Sequence, residues 1–121
     1  MDPLELLLRA EIPSLPEKEF KLKRLSTLCG EPVLFKLRGL PYNRAAELTK
    51  DQKEDLSVHI ALAGIVSPNL KDKELMAHYG VPTPSELLKK MLLPGEIEDL
   101  SRAVEKLSGY RENTIEEIKK K

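Results

Sequence analysis

The sequence predicts an α+β fold that is mainly helical, with an N-terminal β-hairpin packed on a bundle of about five short helices. Three observations lead there. Two runs within residues 18–40 alternate apolar and basic side chains around a stretch of turn chemistry. Between Leu40 and Tyr110, apolar residues recur at helical spacing in segments punctuated by Pro, Gly, Asn and Thr. Charged residues make up 33% of the chain and aromatics only 4%, which suits helices with long solvated faces. At 121 residues the length fits one main domain. The expected division is a helix with a Pro-rich linker over residues 1–16, a single α+β domain over 17–110 (hairpin 18–40, helices 41–110), and a weakly ordered tail over 111–121.

Taken in order, Asp2-Pro3 followed by Leu4, Leu7 and Leu8 predicts a short opening helix capped by Asp2. It should stop near Glu11, because Pro13 and Pro16 favour an extended linker. A helix this short is marginal in isolation, so it either docks on the body or waits for a partner. In the next stretch Phe20 and Leu22 alternate with basic residues, and Leu25 falls slightly out of step. From Val33 to Leu40, Phe35, Leu37 and Gly39 share one side of a second strand, with Leu34, Lys36 and Arg38 on the other. Leu28-Cys29-Gly30-Glu31-Pro32 between them carries turn chemistry, hence the hairpin. A two-stranded hairpin needs helices to cover its apolar face.

Leu40-Pro41-Tyr42-Asn43 opens a helix running to about Leu48, with a break expected at residues 49–51. The helix predicted over residues 51–66 is apolar nearly all round, through Leu56, Val58, Ile60, Leu62, Ile65 and Val66. It therefore belongs in the middle of the domain, with Ile60 as a core residue. Ala61, Ala63 and Gly64 would let a neighbouring helix approach closely. Ser67-Pro68 ends it, and Asn69 is the expected cap of a helix over 70–79. Gly80, Val81 and Pro82 then supply a left-handed turn, a closing contact and a stop. Thr83, Pro84 and Glu86 form the start signature of the following helix, with Leu87, Leu88, Met91 and Leu92 on its apolar side. Leu93-Pro94-Gly95-Glu96 makes a stiff corner into a last helix striped by Ile97, Leu100, Val104 and Leu107. Gly109 and Tyr110 close that helix. The tail keeps only Ile115 and Ile118 as apolar residues and reads as a fraying helix.

The chemistry of enzymes is not visible. His59 and His78 lie on different helices without Cys or carboxylate partners at ligand spacing, which disfavours a metal. Cys29 is the single cysteine, so it makes no internal disulfide and fits a reducing compartment. No Gly-rich phosphate loop or nucleophile elbow is present. Catalytic residues, metal and cofactors are therefore all predicted to be none. No apolar run approaches the ~20 residues of a membrane span, and the start, MDPLELLLRAE, lacks a basic leader. The reading is a soluble cytoplasmic protein. Twenty basic residues balance twenty acidic ones, so no global field favours nucleic acid. Locally, residues 18–40 hold six basic side chains (Lys18, Lys21, Lys23, Arg24, Lys36, Arg38) against two acidic ones. A solvated strand face guarded by lysines is the plainer account, and a nucleic-acid face the sharper one.

The order of residues says more than the chemistry. Residues 63–72 (AGIVSPNLKD), 78–84 (HYGVPTP), 88–97 (LKKMLLPGEI) and 107–110 (LSGY) resemble the XkdN-like phage tail assembly chaperones. That family occurs in tailed phages and in defective PBSX-type prophages of Gram-positive bacteria. The opening LELLLRAEI and the strand pair with Phe20 and Phe35 are also similar to its front end. The resemblance implies a non-enzymatic role: binding the tape measure protein and keeping it soluble until the tail tube polymerises around it. It carries over no catalytic residues. Implied partners are the tape measure protein and, secondarily, the tail tube protein, with self-association left open and no membrane. The implied location is the cytoplasm of the bacterial host, with absence from the mature virion. The partner-binding groove is expected at the corner, from Leu92, Leu93, Ile97 and Leu100, joined by Leu4, Leu7 and Leu8 of the opening helix. Two alternatives stand beside this reading. One is a structural tail or baseplate component; the other is a small nucleic-acid-binding protein using the basic hairpin.

Overall fold

In a computed structural model that describes residues 2–110 and 112–119, two long-range pairings frame the molecule. Strand β1 (Glu17–Lys21) pairs antiparallel with β2 (Leu34–Arg38), and β2 pairs antiparallel with β3 (Ile65–Ser67), giving the order β1-β2-β3. Around this sheet the described residues form seven helices: α1 (Pro3–Arg9), α2 (Lys23–Cys29), α3 (Tyr42–Asp51), α4 (Leu56–Gly64), α5 (Lys73–Tyr79), α6 (Pro84–Met91) and α7 (Pro94–Leu107). The α+β class and the N-terminal strand pair are as the sequence predicts.

The strand pair is not a tight hairpin, because its connection contains α2. Leu25 is the reason. It follows Leu22 by three residues, so the apolar spacing has already changed from the strand period to the helix period. Leu22 N–H still donates to Val33 O at 3.0 Å, while Ser26 Oγ accepts from Val33 N–H at 2.8 Å, so the connection closes on itself. Gly30, at φ 73°, ends α2 in the left-handed region. The third strand is also new relative to the sequence reading. After Gly64 the β-branched Ile65 and Val66 leave the helix and add to β2. Leu37 faces Ile65 while Lys36 faces Ser67, so β3 carries one extra residue, a β-bulge at Val66.

Consequently α4 is shorter than expected at both ends. The break from α3 falls after Asp51, since Thr49 Oγ1 bonds Ala45 O at 3.0 Å and stays inside the helix. Every residue of α4 is buried or half-buried, as a helix without a polar face requires. Ile60, however, is half-buried rather than central. The centre is Leu37, Ala61, Leu87, Leu88 and Val104, all with no exposed surface. Gly64 lets α4 lie on α7: a Cβ there would meet Val104 Cγ2 at 2.3 Å. Gly39, just beyond β2, meets the C-terminal turn of α7 as closely, its added Cβ falling 2.4 Å from Leu107 O. Leu40 N–H donates to Ser108 Oγ at 2.7 Å beside it.

Caps explain the remaining boundaries. Asp72, not Asn69, caps α5, accepting from Leu75 N–H at 2.9 Å. Asn69 instead accepts from Lys71 N–H at 3.1 Å in a turn of its own. Thr83 caps α6 as expected, and Gly80 and Gly109 take positive φ at the ends of α5 and α7. Residues 113–119 are not helical, contrary to the fraying helix predicted, and Ile115 and Ile118 are exposed. Two exposed apolar residues do not bury enough surface to offset the cost of nucleating so short a helix. Arg111, Lys120 and Lys121, which the sequence assigned to this tail, lie outside the described residues.

Candidate partner-binding surface

The corner expected to bind a partner splits into two populations. Leu92, Ile97 and Leu100 are between 3% and 6% exposed and belong to the core, packed with Leu87, Leu88 and Val104. They point inward because α6 and α7 each have one apolar stripe, and both stripes meet under the corner. These three shape the corner from within and do not form an open groove. Leu93, sitting between the helices where neither stripe claims it, is 53% exposed.

The corner is fastened by a contact that the sequence reading did not anticipate. Arg24 on α2 donates from Nε and Nη2 to Glu96 Oε1, at 3.1 and 2.8 Å. Its Nη2 also donates to Met91 O at 2.8 Å, and Leu93 N–H donates to the same Glu96 oxygen at 2.8 Å. One carboxylate thus joins α2, the end of α6 and the start of α7. The hydrogen bonds from Arg24, helped by that from Leu93, hold the Glu96 carboxyl below the usual glutamate range against the opposing effect of partial burial. On the α4 side of the corner, Asp55, Val58, Lys89, Leu92, Pro94 and Ile97 line a shallow groove of about 450 Å³. Lys89 and Asp55 are ion-paired there, and this bond pushes the lysine ammonium above its ordinary value.

Helix α1 is the opposite case. Asp2 caps it, its side chain accepting from Leu4 N–H at 3.2 Å, as read from the sequence. None of its residues is buried: Leu4, Leu6, Leu7 and Leu8 are 51–77% exposed. Four leucines within seven residues cannot share one face, so the helix is apolar on several sides at once. Residues 10–16 then run without helix or strand to β1, with Ile12 exposed as well.

A second apolar groove, of about 750 Å³, lies between α3, α4, β3 and the start of α6. Leu48, Leu62, Ile65, Val66 and Leu70 contribute its apolar lining, and Arg44, Lys71 and His59 its basic or titratable edge. No sequence signal marks it, because its walls come from four elements. Cys29 is exposed at the end of α2 and does not line this groove with His59. Among the described residues no group of three or more His, Cys, Asp or Glu is placed to hold a metal.

The basic surplus of the strand pair is not gathered on one face. Register sets Glu17 opposite Arg38 and Glu19 opposite Lys36 on the outer face of the sheet. Glu17 reaches Lys36 at 3.6 Å and Arg38 at 3.8 Å, and Arg24 is engaged with Glu96. Opposite charges across a strand pair give a mixed solvated surface with no basic stripe for phosphates. Among the described residues no helix is long and apolar enough to cross a membrane.

Comparison with known proteins fits this picture. A family model described as phage XkdN-like tail assembly chaperone protein matches residues 4–119. The crystal structure of the protein yqbn superposes with a TM-score of 0.66 at 24% identity, covering 91% of this chain and 98% of that one. At that identity the likeness establishes a shared fold. None of the curated proteins matches.

Proposed function

Because the chain belongs to the phage XkdN-like tail assembly chaperone family, we propose that its work in tail assembly is to bind the tape measure protein and keep it soluble until tube subunits polymerise. The observation that carries this reading is α1, whose leucines are exposed on an extended tether. Leu4, Leu7 and Leu8, together with Leu93 on the corner, form the proposed contact set. A long helical client exposes apolar stripes, and short leucine-rich helices cover such stripes well.

Magnitudes favour a weak, repeated contact. Burying a leucine fully is worth roughly 1.5–3 kcal/mol. Three or four partly exposed leucines therefore give several kcal/mol gross, against an association cost of about 4 kcal/mol or more. One such site binds loosely by itself. Many copies along one client hold it through avidity, yet each leaves readily when a tube subunit takes its place. No step requires a cofactor, a catalytic group or a membrane. The protein acts in the cytoplasm of the bacterial host and departs before the virion is complete.

Co-expression tests the proposal. The tape measure protein should stay in the soluble fraction with the native chain and precipitate with a Leu7→Asp, Leu8→Asp double variant. Equal solubility with both chains would remove the proposed contact set. Mass spectrometry of purified particles separates a chaperone from a persistent tail component, since the latter would be present in stoichiometric amount.

A further inference from the structure

We propose that α1 of one copy docks in the groove between α3, α4 and β3 of a second copy, so that the free protein associates head to tail. Two exposed apolar surfaces of this chain fit each other. The groove is apolar at its base, with Leu62, Val66 and Leu70. Its charged and titratable lining is Arg44, Lys71 and His59, with no acidic residue among the described residues that line it. The α1 segment brings the complementary set: exposed leucines, with Asp2, Glu5 and Glu11 against the single Arg9. Arg44 now lies 3.5 Å from Glu47 on its own helix, both well exposed, a pair weak enough to exchange.

Reach permits the exchange. Pro16 O accepts from Gly39 N–H at 3.1 Å, but residues 10–15 before it form no helix or strand, and six extended residues span up to ~20 Å. Helix and groove sit on different parts of one surface, so the contact is heterologous: every copy offers one plug and one socket. Such contacts propagate into rings or open chains. Docking also covers the α1 leucines while no client is present, a consequence that rests on the reading above; the docking itself does not.

Sedimentation velocity on the purified full chain, with no tape measure protein present, tests the idea. Association should rise with concentration from the low micromolar range upward. Leu7→Asp with Leu8→Asp should weaken it by more than ~100-fold. Glu5→Lys or Lys71→Glu alone should weaken it by about 2–5-fold, and the two together in one chain should restore it. All these positions are exposed, so circular dichroism should show unchanged folding. Mixing the double leucine variant with a Val66→Asp chain should yield dimers that grow no further, because only one plug and one socket remain. A chain that stays monomeric at every concentration, including one with α1 folded onto its own groove, overturns the proposal. So does association that the leucine and charge variants leave unchanged, or a mixture that fails to dimerise. Loss of tape measure binding would not bear on it, since no client enters the experiment.

Discussion

The α6–α7 corner and the α1 arm are both rich in leucine, yet they meet opposite fates. In the corner, Leu87, Leu88, Leu92, Ile97 and Leu100 are buried, and Arg24 and Glu96 fasten the joint from outside. In the arm, Leu4, Leu6, Leu7 and Leu8 face solvent. Composition does not separate the two; arrangement does. Lys89 and Lys90 mark a solvated side of α6 and leave a single apolar stripe to bury. The arm places three leucines in succession after Glu5, so no single docking surface on its own body hides them all. Pro13 and Pro16 then favour an extended path between the arm and the strand that follows. Leucine content alone therefore tells core from contact surface poorly, and the pattern of interruptions tells it better.

That contrast can be broken in graded ways. The largest effect should come from Leu88→Ala, which opens a cavity in the centre of the corner and costs about 2–5 kcal/mol by urea unfolding. A cost under about 1 kcal/mol would mean that the corner is looser than its burial says. Next comes Gly39→Ala, whose new methyl lands against the backbone of Leu107 and cannot be relieved by turning a side chain. Overpacking of this kind costs roughly 1–3 kcal/mol, read as a lower melting temperature.

A smaller effect concerns the fastening. Because the folded Glu96 carboxyl sits below its ordinary value of 4.5, its bonds stabilise the fold above that pH. The contribution disappears as pH falls through the depressed folded value, where the carboxylate must take up a proton. Glu96→Gln should lower stability at neutral pH and flatten this acid dependence. Urea midpoints measured at neutral and acidic pH check it, and an unchanged difference between them would detach Glu96 from the effect. The smallest change should be Leu7→Ala in the arm, within about 0.5 kcal/mol, since nothing in the fold leans on that side chain. A loss comparable to that of Leu88→Ala would show the arm docked on its own body.

Much of the architecture was legible in the chain. Thr83, Gly80 and Gly109 announce their helix ends because capping is local chemistry. The register of β1 on β2 follows from Phe20 facing Phe35, a pair whose alternation is plain in both strands. Two elements escaped for physical reasons. In the run from Ile60 to Val66 a buried helix and a buried strand share one apolar signature, so only the neighbouring edge of β2 decides where β3 begins. In α2 the helix displaced a turn that the same glycine would have served equally well. The candidate surface was legible only in part. Leu4, Leu7, Leu8 and Leu93 could be nominated from the sequence and are exposed. The burial of Leu92, Ile97 and Leu100 depends on where two helices cross. The bond between residues 24 and 96, and the groove walled by four elements, exist only after the chain has folded.

Gly39 and Leu40 meet the end of α7 across 68 positions of sequence, at the bond from Leu40 N–H to Ser108 Oγ. The first two strands therefore have no lid until the final helix has been synthesised. A ribosome extending this polypeptide exposes Phe35 and Leu37 well before their cover emerges, and loop closure over such a span slows completion. A nascent copy of this chain is thus briefly stickier than the finished fold.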